Sequence, residues 1–306
     1  ITSVGANAFN NTKITNLKID TGSNLTSVGN NAFGAVTTLT YSKDSALPNN
    51  FFSAFNVLQN ATLTGKSITS LPGNLANSLA SLNLQATGMT SIPNGEFEGK
   101  SSLSSVTLPT SGLISIGDRA FKGTTALATL NLPASVKTIG ASAFEGDNQL
   151  SSIGNGANAI TSIGANAFKG TQLTGFTSTD ALKTIGDSAF EGITQFTSVG
   201  NLTAVTSIGA NAFKGTKISS VTLPTNNFTT INDGVFEATN LNTVTNTSNI
   251  TSVGANAFKD TPLTAFNATA LKTIGANAFK KATPSSSTTS TFTLIGGDNI
   301  TSIGES

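Results

Sequence analysis

The sequence predicts a repeat solenoid, a right-handed coil of about 13 repeats of 22–23 residues with a parallel β-sheet on one face, mostly β and turn with little helix. Three observations carry this. The phrase Ile160-Thr-Ser-Ile163-Gly-Ala-Asn-Ala-Phe168-Lys-Gly-Thr171 returns at 205–216, 250–261 and 271–280. An Ile, Val or Leu stands five residues before a Phe along the whole chain, from Val4/Phe9 to Ile274/Phe279. Upstream of that half, pieces such as Leu130-Asn-Leu132 alternate, which points two side chains inward and one outward as a strand requires.

The elements follow in order. Val4/Phe9, Val28/Phe33 and Leu47/Phe52 open the array, and Leu71/Ala76 keeps the spacing without the ring. Ile92/Phe97, Ile116/Phe121, Ile139/Phe144, Ile163/Phe168 and Ile185/Phe190 continue it, and Ile208/Phe213, Ile231/Phe236, Val253/Phe258 and Ile274/Phe279 complete it. Phe9 and Phe279 lie twelve steps apart, which gives a period of about 22 to 23, inside the range of leucine-rich repeats. The strand pieces Leu17/Ile19, Leu39/Tyr41, Leu82/Leu84, Val106/Leu108 and Val221/Leu223 stack into one long sheet. The Ile-x-x-Ile half has period three and suits the opposite, turning wall. Glycine follows its second Ile at 117, 140, 164, 186, 209, 254 and 275, and Pro48, Pro72 and Pro93 replace it early on, marking a chain reversal.

Composition narrows the function. Net charge is +1 and only 10% of residues are charged, which favours neither nucleic acid nor a membrane surface. No apolar run approaches the ~18 residues of a membrane span. The chain has no His and no Cys, so Ser-His and Cys-His relays, His-ligated metals and disulfides are unavailable, and no cofactor is expected. Glu96 and Glu98 are the nearest approach to a carboxylate pair and read as solvated. The chain begins at Ile1 and stops partway into another copy, which reads as one leucine-rich-repeat domain, 1–306, from a longer protein. A Ser/Thr-rich insertion loop interrupts it at 282–291.

The string Leu127-x-x-Leu130-x-Leu132-Pro133-x-x-Val136-x-x-Ile139-Gly140-x-x-Ala143-Phe144 resembles the repeat of the BspA-like (Treponema-type) leucine-rich-repeat surface proteins. Residues 103–121 and 221–236 match it with small departures. The family repeat often has a Cys a few residues after the Phe, where Thr124, Asp147, Thr171, Thr216 and Thr261 stand here. The resemblance implies a secreted or surface-bound, non-catalytic recognition or adhesion module that binds an extracellular protein or glycan. It supplies no catalytic residue.

Four candidate features remain. The Phe ladder is core, each ring contributing roughly 1.5 to 3 kcal/mol on burial. The residue after each Phe alternates in sign, Glu98, Lys122, Glu145, Lys169, Glu191, Lys214, Glu237, Lys259, so each charge should have opposite neighbours about 4.8 Å away on both sides. This reads as a solvated ladder rather than a docking strip. The outward strand residues, among them Thr107, Asn131, Thr177, Thr222, Thr245 and Asn267, form a plain polar ladder that suits a glycan or extended peptide and equally suits mere solubility. Tyr41, Phe51 and Phe55 are the candidate partner-binding anchors, since two adjacent rings cannot easily share one core slot; the competing reading is a wider coil that takes in all three. A passive stalk is the structural rival. An ice- or crystal-surface binder is a further one, because Thr161, Thr206, Thr251 and Thr301 form a column, though Lys137, Lys183 and Lys272 interrupt it.

Overall fold

The computed structural model describes residues 1–154, 159–177, 180–282, 292–296 and 299–304. Most of the expected insertion loop at 282–291, and the Gly-Asn segment at 155–158, therefore lie outside the described residues. The chain winds as a parallel β-solenoid of about 12 turns, and Phe51–Ala54 forms a short 3-10 turn.

Two walls enclose the core. On the first, Asn16–Ile19, Thr38–Tyr41, Asn60–Gly65, Ser81–Thr87 and Ser105–Thr107 pair in parallel and in chain order. The single long sheet expected here is instead segmented. Beyond Thr107 the described pairings are the bridges Thr129↔Ser152 and Gly175↔Ser198, then Ser220–Thr222 with Thr243–Thr245, and Ala265–Asn267 with Thr293–Ile295. Wall lengths change at two of the gaps. Leu103 to Leu113 is ten residues but Leu127 to Val136 is nine, and Phe196 to Val205 is nine but Ile218 to Phe228 is ten. Pairing lapses at both of these steps, but length alone does not decide it, since Ile218 to Phe228 (ten) and Leu241 to Ile250 (nine) differ in the same way and still pair through Ser220–Thr222 and Thr243–Thr245.

The opposite wall is more regular than its period of three suggests. Its Ser/Thr-Ile steps form two-residue parallel strands, six of them in one sheet from Ser91–Ile92 to Ser207–Ile208 and four from Thr230–Ile231 to Ser302–Ile303. The glycine after each second Ile is there for close approach rather than for a special dihedral. A Cβ on Gly164 would stand 2.5 Å from the Ala141 backbone nitrogen, and Gly140 meets Asp118 in the same way. The left-handed positions lie on either side of the Phe instead, as at Ser142 (φ 55°) and Gly146 (φ 78°) around Phe144. That alternation aims every second N–H along the axis. Ser142, Phe144 and Gly146 donate to the Ala165, Ala167 and Lys169 carbonyls of the next coil at 2.7, 2.8 and 2.9 Å.

Inside, the rings stack once per coil. From Phe97 to Phe279 successive centroids lie 4.9 to 5.8 Å apart. Fully buried Ala120, Ala143, Ala167, Ala189, Ala212 and Ala257 precede the rings and let the coils approach. One hydrophobic cluster runs from Ile19 to Ala278.

Candidate binding face

The expected anchors Tyr41, Phe51 and Phe55 are not on the surface; all three are buried, at 0%, 0% and 4% exposure. The physical reason is a shift in the ladder. Phe33 stacks on Phe55 at 5.4 Å and donates its N–H to the Ala54 carbonyl, so Ala54-Phe55 holds the slot that the spacing rule gave to Phe52. The 3-10 turn Phe51–Ala54 widens this coil, and Phe51 meets Tyr41, Phe52 and Phe55 edge-on at 5.4, 5.4 and 5.5 Å. Edge-to-face contacts at these distances are favourable. The Tyr41 hydroxyl, which needs a partner once buried, lies 3.2 Å from Ser45 Oγ.

The polar ladder is where the alternation puts it. Thr107, Asn131, Thr177, Thr222, Thr245 and Asn267 are all exposed on the first wall. Thr222 and Thr245 are register partners, with hydroxyls 3.0 Å apart. Across the eight wall segments from Leu103 to Leu271, the one ionisable residue is Asp180, at a corner. It accepts hydrogen bonds from Asn201 Nδ2 at 2.9 Å and Thr203 Oγ1 at 3.0 Å. Two clefts open on this face where pairing lapses. One, about 260 Å³, lies between Thr107 and Asn131 with Leu132 and Pro133 beside it. The other, about 350 Å³, lies between the segment Thr197–Leu202 and Ser220, Val221 and Thr222.

Charge sits elsewhere, after each Phe. Lys122–Glu145, Lys169–Glu191, Lys214–Glu237 and Lys259–Glu237 are ion pairs at 2.9, 2.8, 2.9 and 3.0 Å. The two-sided contact expected at every step is reached among the described residues at Glu237; Glu145 and Glu191 each contact one lysine and feel the other only at longer range. Partial burial pushes Glu145, Glu191 and Glu237 up, but the lysine hydrogen bonds and charges outweigh it and hold all three below the usual carboxylate range.

Glu96 and Glu98 go to different partners. Glu98 is 3.9 Å from Arg119. Glu96 occupies the place held by alanine in neighbouring coils, and burial pushes it up to about 7 against the opposing charge of Lys100, so it is not the solvated group expected. Neither lines the clefts. Among the described residues, no group of three or more His, Cys, Asp or Glu side chains could hold a metal ion. No helix there is long and apolar enough to cross a membrane.

A buried polar column also follows the Phe ladder. Thr171, Thr216, Thr239 and Thr261 donate their hydroxyls to the carbonyl of the Phe three residues earlier, at 2.8 to 2.9 Å. Asp147 replaces the threonine in its coil. It is fully buried and accepts from the Thr124 N–H at 2.7 Å and the Thr124 hydroxyl at 3.0 Å. Burial pushes its carboxyl up to about 7 in spite of these bonds. The recurrence of Thr at this spacing was visible in the sequence, but its depth was not. The exposed-side threonines are spent internally as well: Thr161, Thr206, Thr251 and Thr301 donate to backbone carbonyls of the preceding coil at 3.0 to 3.2 Å.

Comparison with known proteins agrees with this architecture. A leucine-rich repeat protein from Bacteroides ovatus is similar over 99% of this chain and 78% of its own, at 19% identity and a TM-score of 0.66. A leucine rich cell surface protein from Faecalibacterium prausnitzii is 20% identical over 100% and 83%, with a TM-score of 0.39. The pneumococcal vaccine antigen PcpA is 14% identical over 96% and 84%, with a TM-score of 0.29. No curated protein matches. The BspA type leucine rich repeat region matches residues 1–76, 73–177 and 161–285, in six copies, and the chain belongs to that family.

Proposed function

We propose that the chain is a non-catalytic recognition module, secreted or held at a cell surface, that binds an extracellular partner on its first wall. The observation that carries this is the contrast between walls. The ion pairs stand beside the Phe turns, whereas the wall from Leu103 to Leu271 has Asp180 alone among ionisable residues and is opened by two clefts. Large uncharged faces reduce solubility, and a face that only meets water gains nothing from the omission. A passive stalk is the second reading, favoured by the absence of the aromatic or Arg anchors that tight protein interfaces use. An ice-binding role is disfavoured, since the hydroxyls of the Thr161 column already donate to backbone carbonyls.

The test is binding of the labelled chain to an immobilised extracellular-matrix extract. Wild type should be retained, and Thr107→Arg and Thr222→Arg, which place charge beside each cleft, should be retained less. A stalk would show no retention. Retention that both variants leave unchanged would move binding off this wall.

A further inference from the structure

We infer that the first wall binds a neutral polysaccharide lying along the solenoid axis, with the two clefts as its subsites. This rests on the recognition reading above and adds the class of ligand. The lining chemistry points to it. The larger cleft presents the hydroxyls of Ser198, Ser220 and Thr222 over Val199 and Val221, while the Thr197 hydroxyl donates to the Thr174 carbonyl and the Asn201 amide is held by Asp180 and Thr203. These groups donate and accept hydrogen bonds at neutral pH, as sugar hydroxyls do, and none carries charge. Gly200, exposed among the lining residues, adds no side chain to that cleft. At about 350 Å³ the space lies within the range of small-ligand sites.

A protein partner fits less well. Tight protein interfaces centre on Trp, Tyr or Arg, and the wall beyond Leu103 has none of them. A polyanion would need basic residues, which this wall also lacks.

Polymer length follows from the spacing. The clefts are four coil steps apart, or roughly 19 Å at the ~4.8 Å separation of parallel strands. The larger is mainly polar and the smaller is lined mostly by Val106, Leu108, Leu132 and Pro133, and neither offers a charged or aromatic anchor, so each alone is a weak site. A ligand spanning both gains from the second contact being intramolecular, whereas a short oligomer does not.

The experiment measures binding of the whole chain to amylose, β-1,3-glucan and β-1,4-mannan and to their disaccharides, which are too short to reach both clefts, by calorimetry and affinity electrophoresis. Heparin and an uncharged Ser/Thr/Asn-rich peptide are the comparison probes. One neutral polysaccharide should bind, independently of salt, and at least about tenfold more tightly than its disaccharide. Asn131→Trp and Thr222→Trp, each filling one cleft from an exposed position, should each lower polymer affinity about tenfold and abolish the advantage of length. Asn267→Trp, on the same wall outside both clefts, should change nothing. The inference is overturned if no neutral polysaccharide binds, if only heparin or the peptide binds, or if Asn267→Trp is as damaging as the cleft variants. Matrix retention that survives periodate oxidation of the extract but not proteolysis would also overturn it, while leaving the recognition reading in place.

Discussion

Removal of one interior ring tests the stacking that the fold depends on. Phe213 is completely buried, with Phe190 and Phe236 in near-parallel stacks at 5.5 and 5.8 Å and Phe196 at 6.4 Å. Cutting a buried Phe to Ala costs about 3 to 5 kcal/mol through lost transfer energy and the cavity left behind. Two stacked partners, each worth about 0.5 to 1.5 kcal/mol beyond area, place Phe213→Ala toward the upper end. Phe9 is the internal comparison. It is 38% exposed and stacks on one ring, Phe33, at 5.6 Å, so Phe9→Ala should cost below about 2 kcal/mol. Urea titration followed by far-UV circular dichroism suits a chain with no Trp and one Tyr. Because coils contact only their neighbours, hydrogen exchange should show the Phe213→Ala loss as local opening around coils 190–236. Equal midpoint shifts for the two variants would refute the account, as would a wild-type midpoint for Phe213→Ala.

Three further perturbations probe other columns. Asp147 titrates near 3.8 when unfolded and at about 7 when folded, so its stabilising contribution is complete below pH 3.8 and is lost as pH rises through 7. Thermal midpoints should therefore rise on acidification from pH 8 to 5, and Asp147→Asn should reduce that slope, leaving the part due to Glu96, which burial also raises to about 7; an unchanged slope would remove Asp147 as a source. Glu191→Lys breaks the 2.8 Å contact with Lys169 and sets like charges on three coils. It should cost a few tenths to ~1 kcal/mol, shrinking in molar salt, and a penalty that salt leaves intact would contradict a screened, partly exposed pair. Gly164→Ala drives a Cβ to 2.5 Å from the Ala141 backbone and should cost about 1 to 3 kcal/mol in a denaturant melt, with a neutral result excluding close approach as the reason for that glycine.

Much of this was legible because a solenoid turns a sequence period into a spatial column. One ring per coil told where the core lay, and the Leu-x-Leu alternation told which residues face out. Local departures were harder. Leu47 and Phe52 satisfy the spacing rule by coincidence, since residues 51, 52 and 55 are all Phe. The dipeptide Ala54-Phe55 was the better marker, because the small residue that allows coils to approach must precede the ladder ring. The segmented wall was not countable, since a nine-against-ten spacing flanks each cleft but also the fully paired step from Ser220–Thr222 to Thr243–Thr245. Nor was depth legible. Nothing in the residue types distinguishes the buried hydroxyl of Thr171 from the exposed one of Thr177, and only the turn geometry after Phe168 puts one inside.

The same column logic bears on function. In a solenoid, the composition of a column is the composition of a face, so a face acquires or lacks charge as a unit. The column after the Phe ladder carries alternating Glu and Lys that cancel over short range, as the pairs at Lys169–Glu191 and Lys214–Glu237 illustrate. Corner positions of the early coils carry Asp20, Lys43, Asp44 and Lys66. Charge is thus tolerated on the turns and corners, and the fold sets no steric bar to it at outward positions such as Thr107 or Asn267, which are exposed. The first strand carries Lys18 there, paired with Asp20, but Ser, Thr, Asn and Gly occupy those positions in the coils that follow. A spacer has no use for that restriction, since mixed charge on every face would serve it better. A surface that must meet an uncharged, hydrogen-bonding partner does, because each ammonium or carboxylate placed there would have to shed its water before the partner could dock.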